Sequence, residues 1–174
     1  MNINKLTYRA LMAALICITA PISFYMGPIP FSLATFSVLL ASSLLRPVSA
    51  VICTVIYIML GAVGLPVFAG FVGGFQQLTA PTGGFILGYI PCAAAASIII
   101  NKFSKSKAAY VAGATLGTLC CYAAGTAWYM HVSGSGFTQA IGICVAPFLV
   151  TDALKIAAVS ASAQLIRPRL RRFL

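Results

Sequence analysis

The chain has 174 residues, of which 61% are hydrophobic and only 7% are charged. An ordinary soluble domain carries about 25% charged residues, so this composition excludes a water-soluble domain. It also excludes a soluble nucleic-acid-binding protein, despite the net charge of +10. At about 20 apolar residues per membrane-spanning helix, the length allows roughly six spans joined by short loops. We therefore predict one all-helical transmembrane domain over residues 1–174, surrounded by membrane lipid, with no second, soluble catalytic domain.

The apolar segments, taken in chain order, indicate where the spans lie. They cover residues 6–24, 33–45, 48–63, 84–101, 108–130 and 137–166. Arg46-Pro47 ends the second segment, which at about 20 Å is short for a hydrocarbon core of about 30 Å, so it borrows flanking residues or is partly re-entrant. Pro147 divides the last segment into a short piece, 137–146, and a full-length helix, 147–166, because proline is favoured in the first turn of a helix. The connections at 25–32 and 64–83 are rich in glycine and proline, which predicts loops.

The positions of the basic residues predict the topology. The chain has eleven basic residues and one acidic residue, Asp152. With a cytoplasmic amino terminus, every basic residue except Lys155 falls on the cytoplasmic side, and the outer loops contain none. We therefore predict a six-helix bundle with both termini cytoplasmic, in a multi-pass protein of the prokaryotic plasma membrane. A cleavable signal peptide over residues 5–24 is the less favoured alternative, because the segment has no clean A-x-A site and cleavage would upset this charge distribution.

The last span contains the strongest candidate for a site. Asp152 and Lys155 are three residues apart in TDALKIAAVSAS, so they are neighbours on one face of a helix. Either charge alone in hydrocarbon costs about 2.5–3.5 kcal/mol. A purely structural ion pair is the alternative, but apolar replacements of buried pairs are often neutral or stabilising, so structure is a poor reason to keep one. Because Asp152 lies only about 8 Å along the helix from Pro147, we expect the pair to face a pocket open to the outside, beneath the two loops.

Aromatic and amide side chains near that pocket are candidates for the rest of the site. They are Tyr25, Phe31, Phe68, Phe71, Phe75, Gln76, Gln77 and Thr79 in the loops, and Trp128 and Tyr129 at the end of the fifth span. An interfacial aromatic belt explains Trp128 and Tyr129 equally well. The chemistry of these groups predicts a small-molecule ligand with an apolar body, hydrogen-bonding groups at one end and an anionic group.

The signatures of nucleotide, metal and cofactor sites are missing from the sequence. It contains no G-x-x-x-x-G-K-[ST], so the chain has no P-loop for a nucleotide. The six cysteines lie in apolar runs without metal-ligand spacing, and the single histidine, His131, lies in an outer turn. We therefore predict no catalytic residue, no metal and no cofactor. A membrane enzyme that uses the adjacent thiols of Cys120 and Cys121 remains an alternative.

Small residues four positions apart predict surfaces where helices approach closely. The pairs with this spacing are Ala10 and Ala14, Gly84 and Gly88, and Gly113 and Gly117. Most such surfaces serve packing within a bundle. The first helix lies at one end of the sequence, and its alanines are the candidate surface for a partner.

Several motifs along the chain resemble the BioY family, the biotin-binding S components of energy-coupling-factor transporters. The motifs are GPIPF at 27–31, GAVGLPVFAGF at 61–71, GGF at 73–75, PTGGFILGY at 81–89 and P-F-x-x-x-D-x-x-K at 147–155. They occur in the family's order along nearly the whole chain, which makes the resemblance specific. It implies a six-helix membrane fold that binds biotin from the outside. It also implies a partner assembly of a transmembrane scaffold (T component) and two cytoplasmic ATPases.

The resemblance implies roles for individual residues as well. It identifies Asp152 and Lys155 as biotin-binding residues, and Ala10 and Ala14 match the A-x-x-x-A surface with which other S components contact the scaffold. The remaining substrate-binding candidates lie in these motifs, just before PTGGF or at the end of the fifth span, and are Phe31, Gln77, Thr79, Gly83, Tyr89 and Trp128.

Two other transport functions remain alternatives. In a self-sufficient secondary transporter Asp152 would carry a proton, but the sequence has no inverted repeat and only this one acid. The second alternative is an S component for a different vitamin. Since the chain has no nucleotide site, the residues and the resemblance agree that its energy comes from elsewhere.

Overall fold

The computed structural model describes residues 3–25, 29–103 and 106–170, and most of them are helical. The elements in chain order are α1 (Ile3–Thr19), β1 (Ser23–Tyr25), β2 (Pro30–Ser32), α2 (Ala34–Leu44), α3 (Pro47–Ala62), α4 (Gln76–Thr79), α5 (Gly83–Lys102), α6 (Ala108–Ser133), α7 (Phe137–Cys144), a 3-10 turn (Ala146–Phe148) and α8 (Leu149–Leu170). Three stretches are long and apolar enough to cross a membrane, namely Gly83–Lys102, Ala108–Ser133 and Phe137–Pro168. Three shorter apolar helices accompany them, at Leu6–Thr19, Ala34–Leu44 and Pro47–Ala62. The prediction of a helical membrane protein is confirmed.

A two-stranded hairpin follows the first helix, where the sequence predicts the end of a span and a loop. Strands β1 and β2 are antiparallel, and Phe24 is paired with Phe31. The first helix ends at Thr19 and not at residue 24, because Pro21 lacks an amide hydrogen and disfavours helix in the residue before it. Beyond the helix, the Ile22 amide donates to the Thr19 carbonyl at 3.1 Å, and the Leu33 amide donates to the Ile22 carbonyl at 3.1 Å.

The last helix also differs from its predicted bounds. Pro147 lies in the 3-10 turn, and the α-helix begins at Leu149. At its other end α8 continues to Leu170, beyond the predicted end at residue 166, so that Arg167 is part of the helix. The apolar pattern ends at Ile166, and tertiary contacts of Arg167, described below, extend the helix beyond it.

Helices α5 and α6 pack closely through the glycines that the sequence predicts for helix contact. A methyl group added at Gly84 would collide with Trp128, and one at Gly113 would come within 2.6 Å of Ile100. At Gly117 it would come within 2.9 Å of the Cys92 carbonyl oxygen. The prediction that these small residues serve packing within the bundle is confirmed.

The connections between elements define two ends of the bundle. At the first, the hairpin end, the amide of Gly70 donates to the Pro21 carbonyl at 3.0 Å, which joins the long connection 63–82 to the entry of the hairpin. At the second, the side chain of Asn101 donates to the Leu45 carbonyl at 3.1 Å, which joins the end of α5 to the turn between α2 and α3. We call this second end the basic end, because basic residues gather there. They include Arg9, Arg46, Lys102, Lys107 and Arg167.

Candidate functional site

A cavity of about 290 Å³ lies at the hairpin end of the bundle. Its walls come from β2, α2, α3, the connection 63–82, α5, α6, α8 and the 3-10 turn. The aromatic lining residues are Tyr57, Phe68, Phe85, Tyr89, Tyr122 and Phe148, and the polar ones include Ser32, Thr35, Gln77, Thr118, Asp152 and Lys155. A mainly apolar lining with a few converging polar groups is typical of a small-molecule site.

The carboxylate of Asp152 is held from two sides at the wall of this cavity. The Lys155 Nζ lies 2.9 Å from its Oδ1, and the hydroxyl of Tyr122 on α6 donates to its Oδ2 at 2.6 Å. The side chains of Asp152 and Lys155 are only 6% and 14% exposed. The ion pair that the three-residue spacing predicts is therefore present, and a hydrogen bond from a second helix fixes it in place.

The pair retains capacity to bind a ligand. Within the described part of the chain, the polar contact of Asp152 Oδ1 is its ion pair with Lys155, and a carboxylate has more acceptor positions than these two contacts use. A lysine ammonium has three N–H donors, whereas an ionised carboxylate only accepts. The pair can therefore accept a hydrogen bond from a ligand through Asp152 and donate one through Lys155.

A second polar cluster faces the same cavity from the hairpin side. The side chains of Ser32 and Thr35 lie near the Tyr89 hydroxyl, and all three residues line the cavity. They bring polar groups of β2, of the first turn of α2 and of α5 together. The cavity thus has polar groups on two walls, separated by aromatic rings.

Aromatic rings form the apolar walls between these clusters. The Phe68 side chain is fully buried, and its ring contacts Tyr57 edge to face, with centroids 5.6 Å apart and an interplanar angle of 86°. Phe148 also lines the cavity, and its ring is stacked on that of Phe31 with centroids 4.3 Å apart. Such walls suit an apolar ligand body of ring-like shape.

Four of the residues that the sequence predicts for substrate binding line the cavity. They are Gln77, Tyr89, Asp152 and Lys155. Phe31 is not part of the lining, but its ring is stacked on that of Phe148, which is. Phe31 is instead stacked between Phe148 and Phe24, with 5.2 Å between the centroids of the Phe24 and Phe31 rings.

The other three predicted residues lie outside the cavity lining. Thr79 is exposed, and its hydroxyl donates to the Gln76 carbonyl at 3.0 Å. Gly83 is packed against the backbone of Leu78, where there is no room for a side chain. Trp128 donates through Nε1 to the carbonyl of Ala80 at 3.0 Å and lines a separate surface groove. All three help to hold the connection 63–82 in place, which is a supporting position rather than a contact with the cavity.

The other aromatic and amide candidates of the loops also fall into two groups. Phe68 is buried at the cavity, whereas Phe71, Phe75 and Gln76 are exposed. Tyr129 is buried against Tyr122 in a smaller apolar cluster. The side chain of Tyr25 lies outside the described residues.

Several lining residues are missed by reasoning from the sequence, and Tyr122 is the most informative. It lies in an apolar span without a motif, and its partner Asp152 is 30 residues away in the chain. One signal was available, because a phenol in hydrocarbon needs a hydrogen-bond partner, and Asp152 is the only acid. Phe85 and Phe148 lie in the motifs PTGGFILGY and P-F-x-x-x-D-x-x-K, and Tyr57, like Tyr122, is a phenol in an apolar segment.

The small residues of α1 lie away from this site. Ala10 and Ala14 are both exposed, next to Leu11 and Ile18, which are 59% and 69% exposed. These alanines therefore do not pack inside the bundle that the structure describes.

The chain is similar to proteins of known family over its whole length. A sequence profile of the BioY family matches residues 1–172. A "Probable biotin transporter BioY" of Pyrococcus horikoshii is 36% identical over 98% of both chains. A "Biotin transporter BioY" of Thermotoga maritima is 35% identical over 88% of this chain and 89% of its own.

One solved structure has the same fold. It is described as the S-component for biotin from an ECF-type ABC transporter, and it superposes with a TM-score of 0.88 at 22% identity, over 95% of this chain and 92% of its own. The predicted localisation, a multi-pass protein of the prokaryotic plasma membrane, is confirmed by the relatives together with the apolar helices. The resemblance seen in the motifs is confirmed too, and this chain belongs to the BioY family.

Proposed function

We propose that this chain is the biotin-binding S component of an energy-coupling-factor transporter, which captures biotin at the outer face and delivers it to the cytoplasm with energy from partner ATPases. The observation that carries the proposal is the Asp152–Lys155 pair, which faces a mainly apolar cavity. The carboxylate has unused acceptor positions and the ammonium has unused N–H donors. The names of the relatives and the description of the solved S component support biotin as the ligand.

The polar and apolar parts of biotin match the polar groups and the aromatic rings that line the cavity. Its ureido ring offers N–H donors and a carbonyl acceptor, its valerate is an anion, and the body between them is apolar. Because an ionised aspartate only accepts, Asp152 binds a ureido N–H. Lys155 donates to the biotin oxygen that the cavity brings near it. The rings of Phe68, Phe85 and Phe148 contact the apolar body.

Binding by the isolated chain tests this proposal. We expect the purified protein to bind labelled biotin without nucleotide, and to prefer it over the other members of a panel of vitamins. An absolute nucleotide requirement, or stronger binding of another vitamin, would contradict the proposal. Uptake that stops with a protonophore and survives loss of the ATPases would favour a secondary transporter instead.

The partners are part of the same proposal. The sequence has no P-loop, so the energy for release comes from two ATPases that a transmembrane T component connects to this chain. In this arrangement the chain is a transport subunit and not an enzyme. The exposed alanines Ala10 and Ala14 on α1 support a docking surface, because small residues let another helix approach closely.

A steric test separates docking from binding. We expect Ala10→Trp and Ala14→Trp to abolish uptake by the assembled transporter while the isolated subunit still binds biotin. Ala112→Trp, on the exposed surface of α6, is the matched control and is expected to leave both unchanged. Loss of binding together with uptake in the α1 variants would contradict a docking role.

The six-span topology with cytoplasmic termini is supported by the gathering of positive charge at the basic end. Its test uses a cysteine-free background with one cysteine introduced at Ser106 or at Ser135. An impermeant thiol reagent applied to intact cells is expected to label the cysteine at position 135, at the hairpin end, and not the one at 106. Labelling at position 106 and not at 135 would indicate the opposite orientation in the membrane.

A further inference from the structure

Two aromatic rings in the cavity wall lie directly on glycines that do not line the cavity. The tip of the Phe68 ring lies against Gly61 of α3, and a methyl group added at this glycine would overlap its Cζ and Cε atoms. The Phe85 ring covers Gly125 of α6, where an added methyl group would lie 2.5 Å from two atoms of the ring. Such distances are shorter than real carbon contacts allow, so in either case the ring has to move.

The backbones of both phenylalanines are held by hydrogen bonds, so a displaced ring moves by its side chain. The backbone of Phe68 is held by its amide bond to the Val72 carbonyl at 2.9 Å, and Gly74 donates to the Gly61 carbonyl at 2.7 Å. The ring of Phe68 is fully buried against Tyr57 on one flank. The backbone of Phe85 is part of the first turn of α5, where its amide donates to the Thr82 carbonyl at 3.0 Å. Both rings line the cavity and neither glycine does, so the empty volume of the cavity is space into which a displaced ring can move.

The local backbone does not require glycine at either position. Gly61 and Gly125 lie inside helices and neither has a positive φ, so an alanine fits the backbone at both. Alanine is also the better helix former, by about 1 kcal/mol. The requirement for glycine therefore comes from the ring packed on it.

We propose that Gly61 and Gly125 determine which ligand body fits the cavity, because they set its width through the positions of the Phe68 and Phe85 rings. They are positioning residues, since neither contacts the ligand. This inference rests on the proposed function, in which the ligand is biotin with its two fused rings. A methyl group at either glycine displaces the ring into the cavity. The narrower cavity then excludes a ligand with two fused rings more than a ligand with a single ring.

The test compares biotin with desthiobiotin, which has a single ring in place of the fused pair. We expect Gly61→Ala and Gly125→Ala to weaken biotin binding by about tenfold or more, as overpacking of a filled site does, and to weaken desthiobiotin binding by less. Trimming the displaced ring is expected to restore biotin binding, with Phe68→Leu in the Gly61→Ala background and Phe85→Leu in the Gly125→Ala background. Gly142→Ala in α7, where the added methyl meets open space, is the matched control and is expected to change neither affinity.

The possible outcomes distinguish a failure of this inference from a failure of the proposed function. Biotin binding by the wild type together with unchanged binding by both alanine variants would overturn the inference alone. Equal loss of both ligands, without rescue by either leucine, would assign the glycines to helix packing and would also overturn it. A wild-type protein that binds no biotin would overturn the proposed function and this inference with it.

Discussion

Helix α8 carries buried charge at two places, and the two have different surroundings. Near its start, Asp152 and Lys155 face the cavity. About 22 Å along the same helix, Arg167 is also buried, at 6% exposure. Its guanidinium donates to the Ile100 carbonyl at 3.2 Å and to Asn101 Oδ1 at 2.6 Å.

The surroundings of Arg167 consist of fixed protein groups. Its Cζ lies 5.7 Å from the centroid of the Tyr110 ring, a cation–π distance. Asn101, which accepts one bond from Arg167, donates in turn to the carbonyls of Leu45 and Ser97. The network joins α8 to α5 and to the turn between α2 and α3, and Arg167 does not line the cavity.

The comparison separates two reasons for a buried charge in a membrane helix. A charge whose partners are all protein groups stabilises the packing of helices. A charge pair with unused acceptors and donors beside an empty volume is available for a ligand. Burial alone does not distinguish them, because both are nearly inaccessible to solvent.

The largest effect is expected at the cavity, from Lys155→Ala. It removes a charge-assisted bond to biotin, which is worth about 1.5–3 kcal/mol or roughly 10- to 100-fold in affinity. It also leaves Asp152 as an unpaired acid in an apolar environment. Equilibrium binding of labelled biotin measures the loss, and Lys102→Ala at the basic end is the control with unchanged affinity. If a folded Lys155→Ala protein bound biotin with wild-type affinity, the Asp152–Lys155 pair would have a purely structural role.

The neutral analogue biotinamide sharpens that result. If Lys155 contacts the carboxylate, the wild type prefers biotin over biotinamide and the Lys155→Ala variant nearly loses that preference. An undiminished preference in the variant would assign the lysine to the ureido end. Competition against labelled biotin gives both ratios.

Arg167→Ala is expected to act on stability and not on binding. It strands the Ile100 carbonyl and Asn101 Oδ1, at about 1–3 kcal/mol for a buried group left without its partner. The thermal midpoint in detergent should fall, while biotin affinity stays within about twofold. The thermal midpoint of Arg167→Lys should lie between those of the wild type and of Arg167→Ala, because an ammonium lacks the planar fork of donors. A fall in affinity at an unchanged midpoint would show that the two regions are coupled.

Tyr122→Phe is expected to have an intermediate effect on binding. The Tyr122 hydroxyl donates to Asp152 Oδ2, so its loss loosens the carboxylate and is expected to weaken binding by about three- to tenfold. Calorimetric titration of biotin measures this change. Tyr110→Phe at the basic end is the matched control, since the ring beside Arg167 is retained. An effect as large as that of Lys155→Ala would mean that the hydroxyl contacts biotin itself.

The smallest effect is expected from Trp128→Phe. This change removes the bond to the Ala80 carbonyl, outside the cavity, and keeps an aromatic ring in the same place. Biotin affinity should change by less than about twofold, and the stability cost should be about 0.5–1.5 kcal/mol. A tenfold loss of affinity would indicate that the connection 63–82 controls the cavity through this bond.

The sequence by itself determined the features that depend on local spacing and on composition. The apolar content requires a membrane protein, and the three-residue spacing of Asp152 and Lys155 requires an ion pair once a helix forms. The four-residue spacing of the glycines on α5 and α6 likewise predicts their close contact. These properties need no knowledge of which segments meet.

Only the tertiary structure decided which distant residues complete the site. Tyr122 binds Asp152 from another helix, and Phe68 and Phe85 rest on glycines of α3 and α6. Arg167 looks like part of a basic tail in the sequence, but Asn101 and the Ile100 carbonyl bury it and extend α8. Thr79 and Trp128 are suitable residue types in the expected region, yet their polar groups bond backbone carbonyls outside the cavity. The physical reason is that hydrogen bonds and ring contacts depend on where helices cross, which the periodicity of a single segment does not encode.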